Sequence, residues 1–317
     1  MVKRILNKIL ATIVPLSVHY NNERLRFLKY SIMKKAQSDK NYILTNLAIL
    51  THDIEKGMSL KNPRKGFGKK KIEQIMLLLD LYYRKYKDNN FIIENANKIL
   101  LTYYENKELY KFDEELCKKC LEFTKSNESD LGTITKSTIN TKFTNFSDFA
   151  KSRHSVRYFL DKSIDIECIS KIVDIAKSAP SACNRQSVRV IAIIDDSKIN
   201  KILELHGGAK GFENCKVLFL ITSIISKYTY QGETSTPYID GGIFEMNLLY
   251  AMHSEGVGSC PLIWNDNDGR DKALREIISI NENEIVTGLI VGGYYTDYIK
   301  YAVSKRLPTS EILTIIK

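Results

Sequence analysis

No stretch of this chain reaches the roughly 18–20 consecutive apolar residues that a membrane-crossing helix needs, so no helical span is expected. Proline is scarce, 6 in 317 residues, and glycine stands at 16, which excludes a proline-rich or collagen-like chain. The six cysteines (Cys117, Cys120, Cys168, Cys183, Cys215, Cys260) are too scattered for a disulfide scaffold. They read as reduced thiols, and the expected location is cytoplasmic. Cys117-x-x-Cys120 has no second Cys/His pair near it and no strand before it, which speaks against zinc or a redox motif. It reads as two small apolar residues on one helix face. His52 and Glu55 stand three apart, but a carboxylate-bridged metal site would need a second such pair, and none is found. No metal is expected.

Charge is present but unevenly placed. Residues 1–145 carry 27 Lys/Arg against 16 Asp/Glu, whereas residues 146–317 carry 20 against 21. The whole basic excess therefore sits in the first part, which argues for two units with different partners. Near the start, Lys3, Arg4 and Lys8 flank the apolar run Ile9–Leu16, but the following His19-Tyr20-Asn21-Asn22 offers no small-x-small cleavage site. A secretory signal is not expected there, and a weak amphipathic membrane contact is the most this segment offers.

Helical periodicity runs through residues 1–125, as in Leu25, Leu28, Ile32 and Met33, and again in Ile72, Ile75, Met76, Leu79 and Tyr83. An all-helical domain over 1–125 is expected, followed by a Ser/Thr/Asn-rich linker over 126–145 and a third segment over 146–317. Within the first domain, Arg64–Lys71 packs five cations and two glycines into a loop. It reads as a solvated basic loop or as a cradle for a phosphate-bearing ligand.

Residues 146–317 alternate in period. Helices are expected at Asp165–Ser178, Ser197–His206, Asp240–Glu255 and Asp271–Ile278, with strands at Arg189–Ile194, Val217–Ser223, Ser259–Ile263 and Ile285–Val291. This is an α+β or α/β layered pattern. Two clusters carry chemistry. Arg153-His154-Ser155-Val156-Arg157 gathers two guanidiniums, an imidazole and a hydroxyl, and a guanidinium can grip a phosphate bidentately. Ser181-Ala182-Cys183-Asn184-Arg185-Gln186 is a polar turn between a helix pattern and a strand pattern, able to fix the edge of a planar ligand. Cys183 reads as a small filler, since no matched His partner is evident.

Together with Asp240-Gly241-Gly242, Gly256-Val257-Gly258-Ser259-Cys260-Pro261-Leu262, Val286–Tyr294 and Lys305-Arg306-Leu307-Pro308, these clusters resemble the nitroreductase family over residues 146–317. The resemblance implies an α+β layered domain with a central, mostly antiparallel sheet flanked by helices, here preceded by an all-α domain. It implies FMN as cofactor and NAD(P)H as hydride donor, with a nitro, quinone or conjugated small molecule as acceptor in a ping-pong cycle. By resemblance Arg153, Lys305 and Arg306 meet the phosphate, and Arg157 faces the pyrimidine edge. His154, Ser155, Ser181, Ala182, Asn184 and Gln186 are further contacts, and the backbone of Pro261, Leu262 and Ile263 approaches N5. No catalytic side chain is implied, and a homodimer is.

Two departures stand out. Many relatives follow the Gln with Pro-Trp, where this chain has Ser187-Val188, and Ile263-Trp264 also departs from the family pattern. Acceptor preference therefore does not transfer. A tailoring enzyme in a biosynthetic pathway, such as cell-surface polysaccharide synthesis, is one alternative. The other is a binding protein using the basic helical domain. The first half lacks helix-turn-helix spacing, a zinc finger or an aromatic platform, so nucleic acid is not the expected partner.

Overall fold

The computed structural model describes residues 36–86, 88, 90–136, 145–228, 233–264 and 270–317. The apolar run at Ile9–Leu16, its flanking cations and the period at Leu25–Met33 lie outside them. Along the chain come α1 (Lys40–Met58), α2 (Lys69–Lys85), α3 (Phe91–Glu105), α4 (Lys107–Tyr110), α5 (Glu114–Phe123), β1 (Thr133–Lys136) and α6 (Phe146–Ser152). Then follow α7 (Ile166–Ala176), β2 (Val188–Ile193), α8 (Asp196–His206), β3 (Val217–Ile224), α9 (Thr236–Ser254), β4 (Val257–Leu262), α10 (Arg270–Ile277), β5 (Glu284–Tyr294), β6 (Ile299–Ala302) and α11 (Thr309–Ile312).

The described residues fall into two units, 145–297 and 36–136 with 298–317. This differs from the expected division at one end: the last twenty residues belong to the helical unit. The reason is a strand pair. Thr133–Lys136, expected as linker, pairs antiparallel with Ile299–Ala302, with Ile134 opposite Tyr301. Val303 also donates to Gly132 O at 3.1 Å.

In the helical unit, α1 starts at Asp39, whose carboxylate accepts from Asn41 N and Tyr42 N, and α5 starts at Asp113, which accepts from Leu116 N. The buried faces of these helices form one core around Ile43, Leu47, Ile54, Ile75, Leu79, Ile99 and Leu100. Tyr103 stacks on Phe112 within it, ring centroids 3.8 Å apart. Cys117 and Cys120 lie in this same core, and burial pushes the Cys120 thiol up to about 12.

The 145–297 unit holds a four-stranded antiparallel sheet in the order β2-β3-β5-β4. Its central strand β3 is buried at every residue from Val217 to Ser223, because both faces of the sheet are covered. On one face α7 and α9 pack Ile172, Leu248 and Met252 against Phe219 and Ile290. On the other, α8 and α10 pack Ile199, Ile202 and Leu274 against Leu218, Leu220 and Leu289. This is the α+β layered domain with an antiparallel sheet that the family resemblance implies.

Candidate functional site

The segment Arg153–Phe159 leaves α6 in extended form, with Arg153 at φ −72° and ψ 123°. Ser155 forms a parallel bridge with Ser259 of β4, and Val156 N donates to Ser259 O at 2.9 Å. Two residues on, Glu213 N donates to Arg157 O and Phe159 N donates to Glu213 O, both at 3.1 Å. The segment is thus stitched to β4 on one side and to the 213 loop beyond. Val156 is fully buried and Arg157 is 5% exposed, while Arg153, His154 and Ser155 are half-buried. A guanidinium held this deep is rare unless it is paired. Beside it, the Ser259 hydroxyl is buried with no hydrogen-bond partner among the described residues.

Below Arg153 lies a buried imidazole. Ser152 Oγ donates to Phe149 O at 2.8 Å, so it accepts from His253 Nε2, 2.7 Å away. Tyr295 O–H then donates to His253 Nδ1 at 2.9 Å. Burial, and next the charge of Arg153, hold His253 down to about 4, so it is neutral.

The second cluster is a turn whose shape is fixed from outside. Ser181 Oγ accepts Gln186 N at 2.9 Å, and Cys183 and Gln186 both take left-handed φ near +50°. Ala182 N donates to Asp240 Oδ1 at 3.0 Å. Asp240 also ends a chain of hydroxyls: Ser223 donates to Ser187, Ser187 to Tyr228 (2.6 Å) and Tyr228 to Asp240 Oδ2 (2.9 Å). Arg185 pairs with Glu233, donates to Lys227 O at 3.0 Å and lies over the Tyr228 ring. Ser187, one of the two departures from the family pattern, is therefore a buried anchor of this turn, a task a proline has no hydroxyl to perform.

The third cluster is the end of β4. Pro261 pairs with Ile290 and Leu262 with Leu289, after which the chain leaves the sheet at Ile263, 80% exposed. His206 fixes that exit. Gly208 N donates to His206 Nδ1 at 3.1 Å, which leaves Nε2–H to donate to Ile263 O at 3.0 Å.

The 145–297 unit thus contains Arg153, His154, Ser155, Arg157, Ser181, Ala182, Asn184, Gln186, Pro261, Leu262 and Ile263. Lys305 and Arg306 belong to the helical unit instead. There Lys305 Nζ donates to Asp130 Oδ2 and Arg306 Nη1 donates to Ser304 O at 2.8 Å. Sequence reasoning passed over Asp240, Arg185, His206 and His253 as functional supports. The signal available was polar residues inside otherwise apolar runs, as with Asp240 and His253 at either end of α9.

The remaining motifs have plain local tasks. Glu55 is buried and accepts Gly132 N at 3.1 Å, with His52 Nδ1 3.8 Å from its other oxygen. Asp53 is bridged by Lys71 at 2.7 Å and Lys56 at 3.0 Å. In the basic loop Lys69 pairs with Asp113 at 3.0 Å. Among the described residues no helix is long and apolar enough to cross a membrane, and no group of three or more His, Cys, Asp or Glu side chains is placed to hold a metal ion.

Residues 150–209 match the model of the nitroreductase family. A protein of Archaeoglobus fulgidus, provisionally named as an NADH dehydrogenase/NAD(P)H nitroreductase, is 31% identical over 148 residues, covering 46% of this chain and 83% of that protein. The chain belongs to the nitroreductase family. An FMN reductase [NAD(P)H] of Bacillus subtilis is 25% identical over 154 residues, 44% of this chain and 61% of that protein. A solved nitroreductase-type structure from Desulfovibrio desulfuricans, described in complex with FMN, is 20% identical with a TM-score of 0.47, covering 55% of this chain and 99% of that one.

Proposed function

We infer that this nitroreductase-family chain is an FMN-dependent oxidoreductase that takes hydride from NAD(P)H and passes it to a nitro, quinone or conjugated small-molecule acceptor. The observation that carries the reading is the alignment of Arg153–Arg157 along β4, which sets a buried guanidinium beside the strand that ends at Pro261-Leu262. The donor set fits the cofactor: two guanidiniums, the unpartnered Ser259 hydroxyl and the rigid 181–186 turn suit an anionic ligand with a polar planar edge. The names of the Archaeoglobus and Bacillus relatives support the same chemistry.

FMN, when bound, supplies a two-electron carrier that accepts and releases hydride at one ring atom. The residues of this chain would hold and tune it. Arg153 would take the phosphate, and Arg157, fixed by its backbone bonds to Glu213, would place a cation at the pyrimidine edge. The Asp240-anchored turn would present Ser181, Ala182, Asn184 and Gln186 to the ring edge. Lys305 and Arg306 enter this reading on the family resemblance alone. A homodimer is part of it: α9 exposes Tyr238, Ile239, Ile243 and Met246 on one face, an apolar stripe of the kind that a second subunit covers. A cytoplasmic setting remains part of this reading on the scattered placement of the six cysteines along the sequence.

The visible spectrum of the purified protein tests the reading. Flavin bands that bleach when NADH or NADPH is added under nitrogen are expected, and Arg153→Ala should weaken FMN binding by about 2 kcal/mol. A protein that stays colourless after FMN is supplied would overturn it.

A further inference from the structure

Glu245, an acid of α9 that meets β5, has no partner among the described residues. Glu245 stands one helical turn after Gly241, on the side that meets Thr287 and Gly288 of β5. Its carboxyl group lies flat against Gly288: a Cβ there would fall 2.5 Å from Oε2, 3.0 Å from Cδ and 3.2 Å from Oε1. Neither oxygen makes a hydrogen bond or ion pair among the described residues. The neighbouring charges are committed elsewhere. Asp240 on the same helix is held by Ala182 and Tyr228, and Glu284 on β5 by Thr222 and Asn281. Glu255 at the far end of α9 pairs with Lys171, and Asp174 of α7 pairs with Lys177. A half-buried carboxyl group left unpartnered costs stability. Burial alone pushes Glu245 up to about 7, so near neutrality a large share of it carries a proton.

The position of this acid is set by strand register. The last rung of β4 on β5 is Leu262 with Leu289, so Gly288 lies opposite the point where the chain departs at Ile263. Neighbouring strands stand about 4.8 Å apart. Glu245 therefore covers the β5 position one strand over from the end of β4, where His206 fixes the Ile263 carbonyl. On the flavin reading above, that end of β4 borders the atom where hydride arrives and leaves.

We propose that Glu245 is a catalytic acid that gives its proton to a quinone-type acceptor as hydride reaches it. The inference rests on the flavin reading. The step balances: the hydride, drawn originally from NAD(P)H, brings two electrons and one hydrogen to the quinone. The carboxyl O–H bond breaks, and its proton goes to the quinone oxygen that did not receive the hydride, giving the hydroquinone. The carboxylate left behind is reprotonated by water through its exposed side. Gly288 is the matching requirement, because only a residue without Cβ leaves room for the carboxyl group.

The test compares two acceptors and two variants. 1,4-Benzoquinone needs a proton, whereas ferricyanide takes single electrons and needs none. Glu245→Gln should slow oxidation of the reduced enzyme by benzoquinone about 100-fold. Its oxidation by ferricyanide and its reduction by NADH should stay within twofold of the parent. In the parent the benzoquinone rate should fall as pH rises through about 7, where the acid loses its proton, and Glu245→Gln should be flat there. Gly288→Ala, which displaces the carboxyl group, should show the same quinone-specific loss. Infrared spectra of the flavin-free protein give an activity-independent readout: a protonated-carboxyl band that titrates near pH 7 and is missing from Glu245→Gln. Equal benzoquinone rates in parent and Glu245→Gln, an equal loss with both acceptors, or no titrating band would each overturn the proposal. A parent protein that binds no FMN would sink the flavin reading instead, and the infrared band would still report on Glu245.

Discussion

His253 Nε2 donates to Ser152 Oγ at 2.7 Å, tying the C-terminal end of α9 to the residue just before Arg153. The imidazole is fully buried, and its other nitrogen accepts from Tyr295. Its tautomer follows from its partners, since Ser152 has already spent its own proton on Phe149 O. The neutral ring leaves the positive charge at this end of β4 to Arg153.

This neutral histidine predicts an acid-sensitive fold. A folded value of about 4 lies below the ordinary 6.5, so between those values the unfolded chain binds more protons than the folded one. The stability His253 contributes is therefore complete above pH 6.5 and is lost as pH falls toward 4, by up to about 3 kcal/mol. Denaturant melts at pH 7 and pH 4.5 should show that slope, and His253→Gln, which cannot titrate, should flatten it. Parallel pH profiles for the two proteins would refute the assignment.

A second prediction concerns Asp240, whose two oxygens hold the 181–186 turn and the Tyr228 hydroxyl chain. Asp240→Ala leaves the Ala182 N–H and the Tyr228 O–H without their acceptor, at a cost of about 3 kcal/mol. The freed turn should also lower FMN affinity about tenfold, because an ordering cost that Asp240 now removes would be met on binding. Thermal melts and a fluorescence titration with FMN check both. Full FMN affinity in a destabilised variant would assign Asp240 to folding alone.

The cysteines separate by burial. Cys117 and Cys120 sit in the helical core with thiols raised by burial, Cys120 to about 12, so neither supplies thiolate at neutral pH. Cys183 is exposed on the left-handed position of its turn. Brief iodoacetamide treatment at pH 7.5, read by peptide mass, should label Cys183 well ahead of the core pair. Comparable labelling of Cys120 would mean that the core opens readily.

Much of the 145–297 unit was legible because its elements announce their own period. The helix pattern in Ile166–Ala176 and the continuous apolar run Val217–Ile221 depend on neighbours three, four or two residues away. The Arg153 and Asn184 clusters stand out in the sequence for a different reason, as guanidiniums and turn residues between elements, and their contact with a ligand belongs to the proposed reading. What escaped was non-local. Thr133–Lys136 is a strand only because Ile299–Ala302 pairs with it, more than 160 residues later, and no local pattern carries that information. Lys305 and Arg306 fall in the helical unit through that same strand pair. Glu245 escaped because its role depends on a glycine in another element.

The start of α2 shows a conflict between charge and helix geometry that a single substitution should relieve. Gly68, at φ +85°, caps the helix without a side-chain bond, and Lys69, Lys70 and Lys71 fill the first three positions. Cations there oppose the helix dipole, whose N-terminal end is positive. Lys69 and Lys71 are paired with Asp113 and Asp53, but Lys70 is exposed, and no ion pair of it is found among the described residues. Lys70→Glu replaces an unfavourable charge with a favourable one at that end, worth about 0.5–1 kcal/mol at low ionic strength. The gain should shrink in 1 M salt, where charges are screened beyond about 3 Å. Denaturant melts of the full chain at both salt concentrations check this. A loss of stability in Lys70→Glu would mean that Lys70 supports the basic loop in a way the dipole argument misses.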